Sequence, residues 1–133
     1  MALYGAKARF DQVQSLKPGV YKLTANSGTI DCQSADAVTV MVSIGTITDG
    51  TFAFALQESD SSGSGFTNVA AADMVGSFVA GTSNSVQKVD YIGLKRYLQV
   101  TVTVSGSPAT GAAMEILGVL HDLNRAPAGA TFP

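Results

Sequence analysis

Leu98-Gln99-Val100-Thr101-Val102-Thr103-Val104 alternates apolar and polar residues without a break, and this alternation decides the fold. Side chains on a strand point to opposite faces in turn, so the apolar residues line one face and the polar residues the other. Two further runs repeat the pattern. Val38, Val40, Val42 and Ile44 alternate with Thr39, Met41 and Ser43, and Phe52, Phe54 and Leu56 alternate with Ala53, Ala55 and Gln57. Fully burying each such apolar side chain is worth roughly 1.5–3 kcal/mol, so these runs are the predicted core. A fourth segment, Ala112–Leu123, is apolar on both faces apart from Glu115 and His121. A central strand and a short helix both fit it. Gly111 and Gly118 weaken the helix, while Leu117 and Val119 continue the alternation, which favours the strand. Weaker strands are predicted at residues 20–24, 29–32, 66–69 and 86–92.

Turn chemistry separates these runs. Thr48-Asp49-Gly50 lies between two alternating stretches and reads as a hairpin. The segments SDSSGSG (59–65) and SGSPATG (105–111) read as polar loops. About eight short strands with regular turns indicate an all-β antiparallel sandwich or barrel. Residues 1–19, closing on a Pro18-Gly19 turn signal, are predicted to be an N-terminal arm. Residues 20–123 form the β domain. Residues 124–133, NRAPAGATFP, form a C-terminal tail in which Pro127 and Pro133 remove backbone donors and Gly129 adds freedom.

The composition narrows the function. The chain has 133 residues and 46% hydrophobic content, enough for one cored domain. Charged residues make up only 14%, against about 25% in an average protein. Their place is taken by 25 Ser and Thr and 14 Gly, so much of the exterior is cheap to desolvate. The net charge of −2, with the basic residues scattered, excludes the footprint of a nucleic-acid binder. No apolar run approaches the roughly 20 residues that cross a bilayer, and the first ten residues lack a signal-peptide core. A soluble protein made in a cytoplasm, without a membrane partner, is expected.

Candidate chemistry is sparse. His121 is the single histidine, and no nucleophile motif surrounds it, so a structural hydrogen bond or a solvent-facing role is preferred to a triad. One His and one Cys far apart do not make a zinc site, and Cys32 reads as a small buried hydrophobe. Asp49, Glu58, Asp60 and Asp73 read as solvated turns rather than a calcium loop, because residues 59–65 lack alternating carboxylates. Gly63-Ser64-Gly65 has no following Lys-Ser or Lys-Thr and does not open a helix, so it is a flexible loop rather than a phosphate cradle. Tyr91 and Tyr97 flank Lys95-Arg96, either as sheet-packing aromatics at a tight turn or as a ligand platform. No enzyme activity and no cofactor is expected.

The stretch GTITDGTFAFALQESDSSGSGFTNVAAADMVGS (45–77), followed by VDYIGLKRYLQVTVTVSG (89–106), resembles small virion structural proteins of tailed bacteriophages, of the head decoration or capsid cement type. The resemblance covers residues 37–123 and carries no catalytic signature. It implies a jelly-roll-like sandwich that binds the outer surface of the mature head, bridges major capsid protein subunits, and self-associates as a dimer or trimer. Low charge and small neutral strand faces fit burial against neighbours. The contact residues expected on this reading are Tyr4, Phe10 and Phe132 in the arms, with Tyr91, Lys95, Arg96 and Tyr97. The alternatives are a glycan-binding surface or fibre module, stacking sugars on Tyr91 and Tyr97, and a tail or neck component. The absence of Trp weighs against glycan binding.

Overall fold

The computed structural model describes residues 10–33 and 35–123, and nearly all of its regular structure is strand. In chain order these are β1 (Phe10–Tyr21), β2 (Ala25–Asn26), β3 (Ile30–Asp31), β4 (Ala35–Ile47) and β5 (Thr51–Ser59). There follow β6 (Thr67–Asn68), a 3-10 turn at Ala71–Asp73, β7 (Met74–Val75), β8 (Ser85–Tyr91), β9 (Tyr97–Ser105) and β10 (Ala112–Leu123). Each long alternating run became a strand, and Ala112–Leu123 is an interior strand, between β1 and β4, rather than the helix.

Two antiparallel sheets form a sandwich. One has the order β1-β10-β4-β8-β7; the other runs β2-β9-β5-β6, with β3 also paired to β9. The pairings are nested: β1 with β10, β2 and β3 with β9, β4 with β8, β5 with β6. Successive nested pairs fall in opposite sheets, as when one long hairpin is rolled up on itself. This is the jelly roll. Register sends Val38, Val40, Val42, Ile116, Leu120 and Val89 inward from the first sheet. Phe52, Leu56, Leu98, Val100 and Val102 meet them from the second, with Ile30 fully enclosed. The faces assigned from period two are the faces observed.

Three local readings are corrected. Thr48-Asp49-Gly50 is not a hairpin, because β4 and β5 lie in different sheets. Gly50 does adopt a positive φ of 88°, so the turn chemistry is real, but the turn carries the chain across the sandwich. Asp49 explains the arrangement. Its carboxylate accepts the backbone N–H groups of Ala109 (2.8 Å), Thr110 (3.2 Å) and Gly111 (2.6 Å), tying this crossing to the one between β9 and β10. Those bonds hold the Asp49 carboxyl below its ordinary pKa.

The arm expected over residues 1–19 is strand from Phe10 onward, and Pro18-Gly19 lies inside β1 rather than ending an arm. An edge strand tolerates a proline whose missing N–H faces away from the ladder. The register with β10 shifts between Gln14 and Leu16 and again between Leu16 and Gly19, so the irregularity is absorbed as bulges. Of the strand expected at 20–24, only Val20 and Tyr21 are strand. The tail at 124–133 lies outside the described residues.

Candidate functional site

The segment joining β8 to β9, residues 92–96, crosses from one sheet to the other at one end of the sandwich. Tyr91 closes β8 on an inward position, opposite Val38, and is 2% exposed. A buried phenol needs a partner for its polar end. Its hydroxyl donates to Glu58 Oε1 on β5 at 2.7 Å and accepts the Lys95 N–H at 3.0 Å. Burial, followed by the bond to Glu58, raises the Tyr91 pKa. The chain turns tightly over this ring: a Cβ on Gly93 would stand 2.5 Å from the Tyr91 hydroxyl, so only glycine fits there.

The basic pair is anchored to both sides of β9. Lys95 Nζ meets Asp60 Oδ2 at 2.6 Å. Arg96 binds Asp31 through Nε and Nη2, both at 2.9 Å, in a two-pronged pair. The Arg96 guanidinium lies 4.9 Å from the Tyr97 ring centroid. The bond from Arg96 lowers the Asp31 pKa and raises its own, and the bond to Asp60 raises that of Lys95. Backbone bonds complete the bracing, with Cys32 N–H donating to Arg96 O at 2.7 Å and Ile92 N–H to Asp73 O at 2.9 Å.

This braced segment carries Leu94 at its tip, 100% exposed, beside the exposed Ile92. Behind Leu94 opens a cleft of about 370 Å³ whose lining mixes apolar residues (Cys32, Ala35, Ala37, Val38, Tyr91, Ile92) with Gln33, Gly93 and the basic pair. Cys32 is buried at its base, and desolvation pushes its thiol pKa up to about 12.

The structure therefore brings together Lys95, Arg96 and Tyr97 at one rim. Tyr91 is a correction: its side chain is buried in the core and only lines the cleft, so no Tyr91–Tyr97 stacking platform forms. Tyr4 and Phe132 lie outside the described residues, and Phe10 is placed only by its backbone, opposite His121. Sequence reading missed Leu94 and Gly93, and its solvated-turn reading of Glu58 is corrected: Glu58 lies on β5 and accepts the buried Tyr91 hydroxyl. The IGL triplet inside a charged turn was the available signal.

Of the remaining candidates, His121 is hydrogen-bonded within the fold. His121 Nε2 lies 3.2 Å from Thr39 Oγ1, and that hydroxyl donates to Asp90 at 2.5 Å. With its one proton given to Asp90, the threonine meets the imidazole as an acceptor, the reverse of a nucleophile activated by a base. Gln57 receives the Gln99 amide at 2.8 Å and the Thr101 hydroxyl at 2.9 Å, so polar side chains lace the outer face of the second sheet.

No protein-family model matches the sequence, and no curated protein is similar to it. Solved structures are similar in shape. The crystal structure of the SPBc2 prophage-derived protein YomS superposes with a TM-score of 0.51 at 16% identity, over 84% of this chain and 93% of that one. A subunit of the disulfide-linked pili of Bacillus endospore appendages gives 0.45 at 14% identity, over 92% and 95%. A chain of infectious bursal disease virus, Gx strain, gives 0.42 at 12%, over 94% of this chain and 34% of that one. The first of these shares the sandwich fold.

Proposed function

We propose that this chain is a structural protein of a tailed-bacteriophage virion, a head decoration or cement protein. It is made in the host cytoplasm and binds the outer surface of the mature head, where it bridges major capsid protein subunits. The role is passive, with no catalysis and no cofactor. One observation carries the reading: a rigid sandwich exposes large apolar residues on otherwise neutral surfaces. Val20, Leu23, Val75, Val79, Val86 and Leu94 all face water, and the two half-exposed cations of the 92–96 turn are already neutralised within the chain. Exposed apolar side chains of this size are the kind of surface that association buries. Surfaces of this kind are stable in solution yet release little polar solvation when covered.

Two other facts support the same reading. The motifs at 45–77 and 89–106 resemble decoration proteins, and a prophage-derived protein shares the fold over most of both chains. A ligand that binds only the assembled shell stabilises it by mass action, by RT ln(1 + [L]/Kd), about 2.7 kcal/mol at a hundredfold excess over Kd. Contact with two capsid subunits at once raises the effect through effective concentration.

The experiment is reconstitution. Purified protein is mixed with mature heads that lack it, pelleted through a sucrose cushion, and the particles are heated. Saturable binding to heads with a higher temperature of genome release is the expected result. Labelling of tails or necks, or no pelleting with heads, overturns the assignment.

A further inference from the structure

We propose that the 92–96 turn and its cleft form a two-fold contact between copies of this chain, with Leu94 of each copy inserted into the cleft of the other. The inference goes beyond the proposed head binding and takes up the self-association that the resemblance implies; the identity of the virion partner does not enter.

The first argument is the cost of leaving Leu94 in water. A mobile loop that exposes leucine needs no explanation, but this turn is fastened at five points. They are the Tyr91 hydroxyl on Lys95 N–H, the Lys95–Asp60 and Arg96–Asp31 pairs, and the backbone bonds Ile92–Asp73 and Cys32–Arg96. The side chain at its tip is nevertheless fully exposed. A pre-ordered apolar anchor loses little entropy on docking, which is how interface hot spots are built.

Shape is the second argument. Knob and hole lie in one patch, since Leu94 itself stands on the rim of the cleft. A contact in which residue i meets j and j meets i is what a two-fold axis produces. A cavity of about 150 Å³ already admits a benzene-sized group, so a cleft of about 370 Å³ accepts a leucyl side chain.

Charge is the third. The Lys95–Asp60 and Arg96–Asp31 pairs next to Leu94 in the turn are partly exposed and each is neutralised within the chain. The patch therefore carries no net charge from these residues, and a second copy meets it without like-charge repulsion.

The test is sedimentation equilibrium of the full chain across the micromolar range, without any head present. The wild type is expected to be a dimer. Leu94→Asp, at a position that touches nothing in the fold, is expected to weaken dimerisation about a hundredfold, because two leucyl side chains lose their pockets per dimer. Ala35→Tyr, which fills the cleft, does the same, and Leu94→Met restores the dimer. Circular dichroism checks that each variant is folded. A monomeric or trimeric wild type overturns the contact, as does a dimer indifferent to Leu94→Asp. A Leu94→Asp dimer that no longer binds heads also overturns it, by assigning the knob to the shell. Failure of the wild type to bind heads, with the dimer behaving as described, leaves this contact standing and removes only the virion assignment.

Discussion

Replacing Tyr91 with phenylalanine deletes one oxygen and leaves the ring in the core. That oxygen joins the two sheets: it sits on β8 and donates to Glu58 on β5 at 2.7 Å, while holding the Lys95 N–H at 3.0 Å. A hydrogen bond to a carboxylate contributes about 1.5–3 kcal/mol, and a neutral one about 0.5–1.5 kcal/mol. Lys95 lies at the surface, so its N–H regains water in the variant. Glu58 is only half-buried, so part of its solvation also returns. The expected loss is therefore about 2 kcal/mol, near the lower end of the summed range. Urea unfolding followed by tyrosine fluorescence and far-ultraviolet circular dichroism measures it. At an m-value of about 2 kcal/mol/M the midpoint falls by about 1 M with the slope unchanged. Glu58→Gln keeps an acceptor but loses the charge, and the double variant costs less than the sum of the singles because the two changes break one bond. A Tyr91→Phe midpoint within about 0.5 kcal/mol of wild type would falsify the cross-sheet bond as a stabilising element.

Three other outcomes follow from the same structure. Asp31 and Asp49 have folded-state pKa values below the ordinary 3.8, so their contribution is present above that value, declines below it, and is lost as the pH falls through the folded values. Acid titration of stability is expected to decline below about pH 4, and Asp49→Asn should flatten that limb; an identical limb in the variant refutes the capping role. Cys32, buried with its pKa near 12, is expected to resist Ellman's reagent at neutral pH until the protein unfolds. Labelling of the native protein at the rate of free cysteine contradicts this. Gly118→Val adds a branched side chain whose Cβ stands 2.9 Å from Ile30 Cδ1. Such overpacking is expected to cost about 1–3 kcal/mol in thermal or urea unfolding, and a neutral result means the β10–β3 contact is looser than described.

The three strict alternations around Val40, Phe54 and Val100 determined the strands, their inward faces and most of the core. Period two is a local property, and any buried sheet enforces it. The choice of strand at Ala112–Leu123 was legible for the same reason. Strand partners were not. Asp49-Gly50 has the local chemistry of a hairpin, yet β4 pairs with β8 and β10 instead. Which strand fills the neighbouring place depends on closing the nested pairs of the whole chain, and no short window contains that information. Pro18 misled in the same way, since only its edge position makes a proline acceptable inside β1.

At the site, the residue types of the YIGLKRY turn drew attention, but their assignments required the third dimension. Tyr91 and Tyr97 look equivalent in sequence. The inward phase of β8 sends Tyr91 into the core against Glu58, and the chain crossing that follows lifts Leu94 into water. Sequence by itself determined an all-β chain with a thinly charged exterior and the side chains that turn inward. Tertiary structure alone decided the rolled-up strand order, the pairing of Lys95 and Arg96 with acids distant in sequence, and the exposed leucine beside a cleft. These depend on contacts between residues far apart in the chain, and local periodicity does not specify them.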